Sequence, residues 1–414
     1  MGQSSCKQHN PSAMERRDLE MPVSDKIVRT VSFLGLLTAV SAGHVLGEEG
    51  SSLSSPASHF TFTKKGCLTS PSPTMPKPGP YYTCLVSMKD VEHFPYDYAL
   101  YFSTDHNYKP GDGGIWMWVC NGSPTKAANW KSYDWALANG KFDYLEKKPA
   151  ANPIFVDTTQ GRQTETPYVN IIDGVAYMTY HNDNCGRRQS TLLATSQDGV
   201  NFARIHGDKN SIILAYTDPP GDGHTGYFRW GPNPFSGVKH KYVGYSLHGG
   251  TRNYFSAMWG SDNAVDWVRL QVFVPREGAG GIGKDTLLIW HELDPNSITS
   301  LGNGEYVAIC AGGNRAAGPV ARRVELYEVF LANDGKTMTR ACRKILGQGP
   351  AGADDHEELS GPTTSVIGNT WHLIYVGTTG KGRVNTVMGA SGKLDRTAPK
   401  GPAFTGDRQW YFYR

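Results

Sequence analysis

Acidic side chains recur immediately upstream of prolines in this 414-residue chain. The three clearest are Glu165 before Pro167, Asp294 before Pro295 and Glu358 before Pro362, and Asp90 is a fourth candidate in a stretch without such a proline. Two carboxyl groups held together can serve as proton donor and as base or nucleophile in one reaction. These four acids are therefore the predicted catalytic residues, provided that the fold brings them to one place.

Each acid also has a purely structural interpretation. An Asp-Pro pair initiates turns, which would account for Asp294. Glu358 ends an acidic stretch, residues 354–358, that water can solvate, and Glu165 can be a hydrogen-bonded carboxylate at a strand end. Asp97 and Asp105 compete with Asp90 for a role near the start of the repeats.

The prolines belong to a repeat that would position the acids. Four of them, Pro167, Pro232, Pro295 and Pro362, follow one another at intervals of 65, 63 and 67 residues, and an aromatic, β-rich stretch follows each. Tyr98-Ala-Leu-Tyr101 is an earlier copy of that stretch. A fixed period means that one supersecondary unit is used several times. Five units account for residues 58–414, which predicts an all-β fold, a five-bladed β-propeller of four-stranded antiparallel blades.

Composition and local phrases agree with this fold. The chain contains 48 Gly, 25 Pro, 21 Tyr and 10 Trp, which are turn residues and strand-favouring aromatics. Ser196-Gln-Asp-Gly199 and Ser261-Asp-Asn263 are typical of tight hairpin turns. The strand-like phrases Phe60–Phe62 and Trp410–Tyr413 are predicted to share one blade and so close the ring without exposed sheet edges.

The first 42 residues are predicted to be a signal peptide. Lys26 and Arg29 form a basic region, residues 31–40 are apolar but too short to span a bilayer, and Val40-Ser41-Ala42 matches a cleavage site. Met21 is an alternative start, and residues 43–57 form a linker. We expect a secreted or periplasmic protein that is not inserted in a membrane after cleavage, with an uncleaved anchor as the alternative.

The cysteines bear on possible disulfides, and the net charge bears on possible partners. Six cysteines remain after the signal peptide, which permits disulfides, and Cys67–Cys84 is the easiest local pair. Buried free thiols are the equal alternative. The net charge of +3, without a basic run between aromatics, argues against a nucleic-acid partner.

Several polar and aromatic side chains near the repeat starts are candidates for ligand binding. These are His224, Tyr227, Arg229, Trp230 and His291. Histidine and arginine would bond sugar hydroxyls or carboxylates, and an aromatic ring would stack on a sugar, although Trp230 can equally be a core residue. The histidines lie on separate repeats rather than at the local spacing of zinc enzymes, so no metal and no cofactor are expected.

The aromatic strands, the Ser-x-Asp-Gly hairpins and the acid-proline starts resemble the five-bladed propeller glycoside hydrolases, namely the arabinofuranosidase/xylosidase-type and fructosidase-type families and their relatives. The phrase Gly223–Trp230 is similar to hydrolase-like propellers with a histidine at the channel mouth. The resemblance implies that Asp294 serves as base or pKa modulator and that Glu358 is the general acid. The third repeat departs from the pattern, because Trp230-Gly-Pro stands where an acid is common.

The sequence therefore predicts an exported glycoside hydrolase that cleaves an oligo- or polysaccharide with a carboxylic acid/carboxylate pair. The alternative is a non-catalytic propeller that binds carbohydrate or protein. Sialidase-like chemistry is disfavoured because Arg187-Arg188 and Arg322-Arg323 are adjacent pairs, whose members point to opposite faces of a strand.

Overall fold

Each predicted repeat folds as one antiparallel group of strands, and the five groups are the blades of a β-propeller. The last two groups are joined into one eight-stranded sheet by a parallel pairing of Val324 with Glu358. The computed structural model describes residues 58–69, 75, 79–104, 113–157, 164–183, 189–205, 211–215, 225–249, 254–273, 292–313, 324–379 and 384–400. Within these residues the structure is almost entirely strand, so the predicted fold class is confirmed.

The first three blades follow the chain in order. Blade 1 consists of β2 (Pro80–Ser87), β3 (Tyr98–Thr104), β4 (Trp116–Cys120) and β5 (Trp130–Ser132). Blade 2 consists of β6 (Thr164–Ile172), β7 (Val175–Asp183) and β8 (Gln189–Ser196), with the short β9 (Ala203–Arg204) and β10 (Ile212–Leu214) on β8. Blade 3 consists of β11 (Thr225–Pro232), β12 (Tyr242–Gly249), β13 (Tyr254–Ser261) and β14 (Val268–Phe273).

The last two blades complete the ring. Blade 4 consists of β15 (Asp294–Gly302), β16 (Glu305–Gly313), β17 (Val324–Ala332) and β18 (Met338–Leu346). Blade 5 consists of β19 (Glu358–Ile367), β20 (Thr370–Thr379), β21 (Val384–Leu394) and β1 (Phe60–Thr69). One short helix, α1 (Tyr133–Ala138), follows β5 and begins at Ser132, whose hydroxyl accepts a hydrogen bond from the Trp135 amide.

The ring closes through the N-terminal strand. β1 pairs antiparallel with β21, with Phe60 opposite Leu394, so the prediction for Phe60–Phe62 is confirmed. Trp410–Tyr413 lies outside the described residues. The Glu328 carboxylate of blade 4 accepts hydrogen bonds from the backbone amides of His59 and Phe60 at 3.2 and 3.1 Å, which anchors the start of β1. Closure of this kind covers the sheet edge that an open ring would expose.

The innermost strands of the five blades run in the same direction along the axis. These strands are β2, β6, β11, β15 and β19. Thr83 contacts Gly361 and Leu85 contacts Thr363, so β2 and β19 run parallel to each other. Further contacts between neighbouring blades are Cys84–Val169, Thr179–Phe228 and Asp294–Thr364. The five innermost strands therefore begin at one face of the propeller, which we call the mouth face.

Apolar side chains fill the spaces between the blades. The largest cluster joins blades 1, 2 and 3 and contains Tyr101, Tyr180, Phe228, Trp230 and Trp259. Aromatic burial of this extent is the main stabilising contribution in such a fold. Within the described part of the chain, no helix has the length and apolar character needed to cross a membrane.

The predicted Cys67–Cys84 disulfide is wrong. Cys84 is a free, fully buried thiol on the innermost strand of blade 1, and its sulfur accepts a hydrogen bond from the Val169 amide at 3.2 Å. Burial raises the pKa of this thiol to about 12. Cys67 lies on β1, the outermost strand of blade 5, because ring closure carries the start of the chain to the last blade. Cys120, Cys310 and Cys342 are also free, and Cys185 lies outside the described residues.

Candidate active site

All five innermost strands are interrupted by a β-bulge near their first residues. The pairing with the second strand shifts after Tyr81, Glu165, Gly226, Asp294 and Ser360. At four of these bulges one residue has a left-handed backbone, with φ of 50° at Tyr82, 52° at Thr166, 54° at Tyr227 and 60° at Gly361. Bulges commonly re-aim side chains next to active sites. Here they gather polar side chains from all five blades at the mouth end of the axis.

Glu165 lies directly before the bulge of blade 2 and is almost fully buried. Its partner across the strand pair is His181, also fully buried, whose Nε2 is 3.4 Å from Glu165 Oε1. The other ring nitrogen of His181 is 2.8 Å from the Thr166 hydroxyl. His181 was not predicted from the sequence, because the residues directly before it on β7, Tyr177–Tyr180, indicated only a repeated structural element.

Asp294 lies at the start of β15 with its carboxylate buried at the axis. Oδ1 accepts a hydrogen bond from the Tyr168 hydroxyl at 2.9 Å, and Oδ2 accepts one from the Thr364 hydroxyl at 2.6 Å. Burial raises the pKa of this carboxyl, while the Thr364 bond, the Arg229 charge and the Tyr168 bond act in the opposite direction. Because Tyr168 belongs to blade 2, its hydrogen bond to Asp294 crosses the axis.

Arg229 makes a second connection across the axis. Its Nη1 donates to the Pro362 carbonyl at 2.6 Å, which joins blade 3 to blade 5, and the guanidinium carbon lies 5.7 Å from the centre of the Tyr168 ring. Only 5% of Arg229 is exposed. Arg229, which the sequence predicts to bind sugar, thus lies inside the cluster. Part of its hydrogen-bonding capacity is used by the protein itself.

Two further acids stand at the mouth ends of blades 4 and 5. Glu358 is the first residue of β19, is 1% exposed and pairs with Thr378 on β20. Glu292, two residues before Asp294, is equally buried, and its Oε2 accepts a hydrogen bond from the Gly361 amide at 2.7 Å. Glu292 was not among the acids predicted from the sequence, because Asp294 lies directly before Pro295.

Aromatic rings occupy the axis beside these groups. Tyr82 of blade 1 meets Tyr227 of blade 3 edge to face, with ring centres 4.6 Å apart. The Tyr227 ring also lies 5.4 Å from the imidazole of His181. Tyr227, a predicted sugar-binding residue, is therefore part of the cluster that contains Glu165.

Trp230 is not part of that cluster. Its side chain is fully buried, with its ring 5.6 Å from those of Tyr242 and Trp267. The bulge after Gly226 changes which side chains of β11 face the axis, so Trp230 packs in the core. The core interpretation of Trp230 is the one that the structure supports.

Asp90 is not brought together with the other three acids. It is exposed in the turn after β2, at the end opposite the mouth face, and its carbonyl oxygen lies beside Gly174 in the turn between β6 and β7. His224 and His291 lie outside the described residues. Among the residues that are described, no group of three or more His, Cys, Asp or Glu side chains has an arrangement that could hold a metal ion.

Comparisons with known proteins support the fold. No protein-family model matches the sequence, and neither does any curated protein. Among solved structures, an N-acetylgalactosamine deacetylase from F. plautii in complex with blood group B trisaccharide has a TM-score of 0.53 and 14% identity, covering 84% of this chain and 100% of its own.

Two further solved structures are glycoside hydrolases. A thermostable family-43 glycoside hydrolase has a TM-score of 0.47 and 15% identity, covering 81% of this chain and 97% of its own. The catalytic domain of a GH62 α-L-arabinofuranosidase from Coprinopsis cinerea has a TM-score of 0.47 and 10% identity, covering 80% and 97%.

Proposed function

We propose that this chain is an exported glycoside hydrolase that cleaves an oligo- or polysaccharide at the mouth face of the propeller. The observation that carries the proposal is that Glu165, Asp294 and Glu358 each occupy one of the first residues of an innermost strand, close to its bulge. Equivalent positions on different blades converge on the axis, so a propeller can deliver the two carboxyl groups that glycoside hydrolysis needs.

The environments of the three acids suggest different roles. Both oxygens of Asp294 accept hydrogen bonds from hydroxyl groups of the protein, so this carboxyl supports its neighbours rather than reaching substrate. Glu358 is the general acid that protonates the leaving oxygen, as the family resemblance implies. Glu165 is the ionised partner that attacks the sugar or activates water. Tyr227 and the predicted residues His224 and His291 bind the sugar.

Asp90 has no part in this proposal. Its position in an exposed turn at the opposite end of β2 keeps its carboxylate away from Glu165. The proposed catalytic set is therefore smaller than the four acids predicted from the sequence.

The proposal that the protein is exported rests on residues 1–42 and can be tested separately. Expression with the complete N-terminus in a secreting host, followed by N-terminal sequencing of the protein in the medium or periplasm, is expected to give a chain that begins after Ala42. Retention of the intact N-terminus in the membrane fraction would instead support the uncleaved anchor.

The hydrolase proposal is tested with purified protein and a panel of plant and algal oligo- and polysaccharides. We expect release of reducing sugar by the wild type and loss of that release in Glu165→Gln and Glu358→Gln. Glu92→Gln is the matched control, because Glu92 is a highly exposed glutamate (86%) in the connection after β2. Aryl glycosides with good leaving groups should be cleaved by Glu358→Gln better than natural linkages, because they need less protonation.

Two other outcomes would change the assignment. Sugar binding without product release, unaltered by either substitution, would support a non-catalytic carbohydrate-binding propeller. Acetate release should be measured in the same reactions, because the solved structure with a TM-score of 0.53 is that of a deacetylase. Acetate without reducing sugar would overturn the hydrolase assignment in favour of deacetylation.

A further inference from the structure

The contact between Glu165 and His181 belongs to a longer chain of polar groups. His181 Nδ1 is 2.8 Å from Thr166 Oγ1, and the Thr166 amide donates to the Ser103 hydroxyl of blade 1 at 3.1 Å. All four residues are buried, with no more than 5% of any of them exposed. A chain of buried polar groups has few alternative arrangements, so each member constrains the next.

The backbone at Thr166 shows that this arrangement is imposed by the fold. Thr166 has φ of 52°, a left-handed conformation that is unfavourable for a β-branched residue. Such strained residues persist only where the surroundings determine them, and they cluster at functional sites. Here the bulge turns the Thr166 hydroxyl onto one nitrogen of His181 while Glu165, the preceding residue, lies beside the other.

The tautomer of His181 decides what Glu165 can do. A neutral imidazole carries its proton on one nitrogen only, so the two contacts of His181 are linked. If Thr166 donates to Nδ1, Nε2 carries the proton and faces a Glu165 carboxylate. If Nδ1 donates to Thr166, the bare Nε2 faces Glu165, which must then be protonated. Only the first arrangement leaves Glu165 ionised, as a base or nucleophile must be.

We propose that His181 is a positioning residue whose Nε2–H donates a hydrogen bond to Glu165 and thereby stabilises this carboxylate in its ionised form, as the base or nucleophile of the reaction. The 3.4 Å separation between Nε2 and Oε1 shortens when substrate binds, as is common for catalytic hydrogen bonds in unliganded enzymes. The proposal rests on the glycosidase function proposed above and assigns the ionised role to one acid of the pair.

Three strands contact His181 in the described part of the chain. β6 presents Glu165, β11 presents the phenol ring of Tyr227, and β8 presents Thr191 as the strand partner. Removing the Nε2 donor makes the ionised form of Glu165 less favourable, because a hydrogen bond to the charged form is lost. The acidic limb of the activity profile must then move to higher pH.

Blade 3 provides a matched control. Thr225 Oγ1 is 3.2 Å from His248 Nδ1, and His248 is as deeply buried as His181. At the position of Glu165, however, blade 3 has Gly226, which carries no carboxyl group. A variant of His248 thus removes a buried, threonine-bonded imidazole without touching the proposed pair.

The experiment compares the pH profiles of kcat/KM for the wild type, His181→Leu, His181→Gln and His248→Leu on the best substrate. We expect the acidic limb of His181→Leu to move up by about one pH unit. His181→Gln, whose amide restores a donor, should return part of the shift, and His248→Leu should keep the wild-type limb. The proposal would be overturned if the acidic limb of the kcat/KM profile lay at the same pH in all four proteins. It would also be overturned if this limb shifted as far in His248→Leu as in His181→Leu.

A second measurement does not depend on activity. Nitrogen NMR of protein labelled at histidine distinguishes the two tautomers, and the His181 signal is identified by its loss in His181→Gln. The proposal predicts a proton on Nε2 at neutral pH, and a proton on Nδ1 would contradict it. A wild type that hydrolyses no glycan but shows the Nε2 tautomer would refute the glycosidase function and leave the hydrogen-bond assignment standing.

Discussion

Blades 2 and 3 place the same kind of side-chain pair in two different electrostatic settings. In each blade a threonine hydroxyl contacts Nδ1 of a buried histidine, His181 at 2.8 Å and His248 at 3.2 Å. His181 faces the Glu165 carboxylate. His248 has no such acid at the corresponding position, and burial followed by the charge of Arg269 lowers its pKa to about 3. His248 lies one position further along its strand than His181, because the register places Leu247 opposite Gly226. The two imidazoles therefore share burial and a threonine contact, and they differ in the charge beside them.

The two histidines also differ in what they support: His248 supports stability, and His181 supports the proposed function. His248 stacks on Trp259 with ring centres 5.5 Å apart, an arrangement that suits a neutral core imidazole. His181 instead lies beside Tyr227 at the mouth end of the axis, among groups contributed by several blades. Substitutions in the two blades should consequently act on different measured quantities.

Replacement of Glu165 should have the largest effect, because it gives blade 2 the uncharged character of blade 3. We expect Glu165→Gln to lower kcat by about 10²–10⁴-fold, the usual contribution of a general acid or base. Steady-state kinetics on the best glycan measures this, with circular dichroism as the check on folding. A decrease in kcat of less than threefold in a folded variant would exclude Glu165 from the proposed pair.

Replacement of Asp294 tests an acid that faces hydroxyl groups, whereas Glu165 faces an imidazole. In Asp294→Asn one oxygen becomes an amide donor, so Tyr168 or Thr364 loses its acceptor. Leaving a buried hydroxyl without its acceptor should reduce the free energy of unfolding by about 2 kcal/mol. Urea denaturation gives this value. Asp97→Asn is the control, because Asp97 is exposed and the oxygen of asparagine can still accept the hydrogen bond that Asp97 accepts from the Gly122 amide. Unchanged stability would mean that these hydrogen bonds contribute nothing net.

Removal of His248 should change the pH dependence of stability. Its folded pKa of about 3 lies below the unfolded value of about 6.5, so the unfolded chain binds more protons between these pH values. Stability is then lost as pH falls from 6.5 towards 3, by up to about 1.4 kcal/mol per pH unit. In His248→Leu this part of the slope should disappear from urea titrations at pH 4, 5 and 6.5. A slope identical to that of the wild type would contradict the depressed pKa.

Asp90→Asn should have the smallest effect. The side chain lies in an exposed turn at the end of the propeller opposite the mouth face, far from both histidine pairs. We expect unchanged kcat, KM and midpoint of thermal unfolding. A tenfold loss of kcat would restore Asp90 to the catalytic set and reject the position that we assign to the site.

The architecture was predictable because its signals are local and repeated. Prolines and aromatic strands recur in each unit, and a closed ring needs little further information. Blade 1 was placed less well, because its proline, Pro80, lies further upstream than the repeat suggests. Residues 88–97 form a long connection between β2 and β3, whereas most innermost hairpins have tight turns. For this reason the sequence alone favours Asp90 as a mouth residue.

The site was predictable only in part because it depends on contacts between strands and blades. Glu165, Asp294 and Glu358 could be located from their proline phrases, since the innermost strands begin there. His181 could not, because its pairing with Glu165 appears only when β6 and β7 are in register. The two interpretations of Trp230 stayed open for a related reason. A bulge changes the alternation of inward and outward side chains, and no sequence pattern marks its exact position.

The central claim is tested most directly by a crystal structure of Glu165→Gln with an oligosaccharide bound. The account predicts a sugar at the first residues of β6 and β19, with its anomeric carbon between the side chains at positions 165 and 358. Those two side chains should be separated by about 5–9.5 Å, the range of glycoside hydrolases. A sugar bound elsewhere, or a separation well beyond this range, would contradict the claim that these carboxyl groups form the active site.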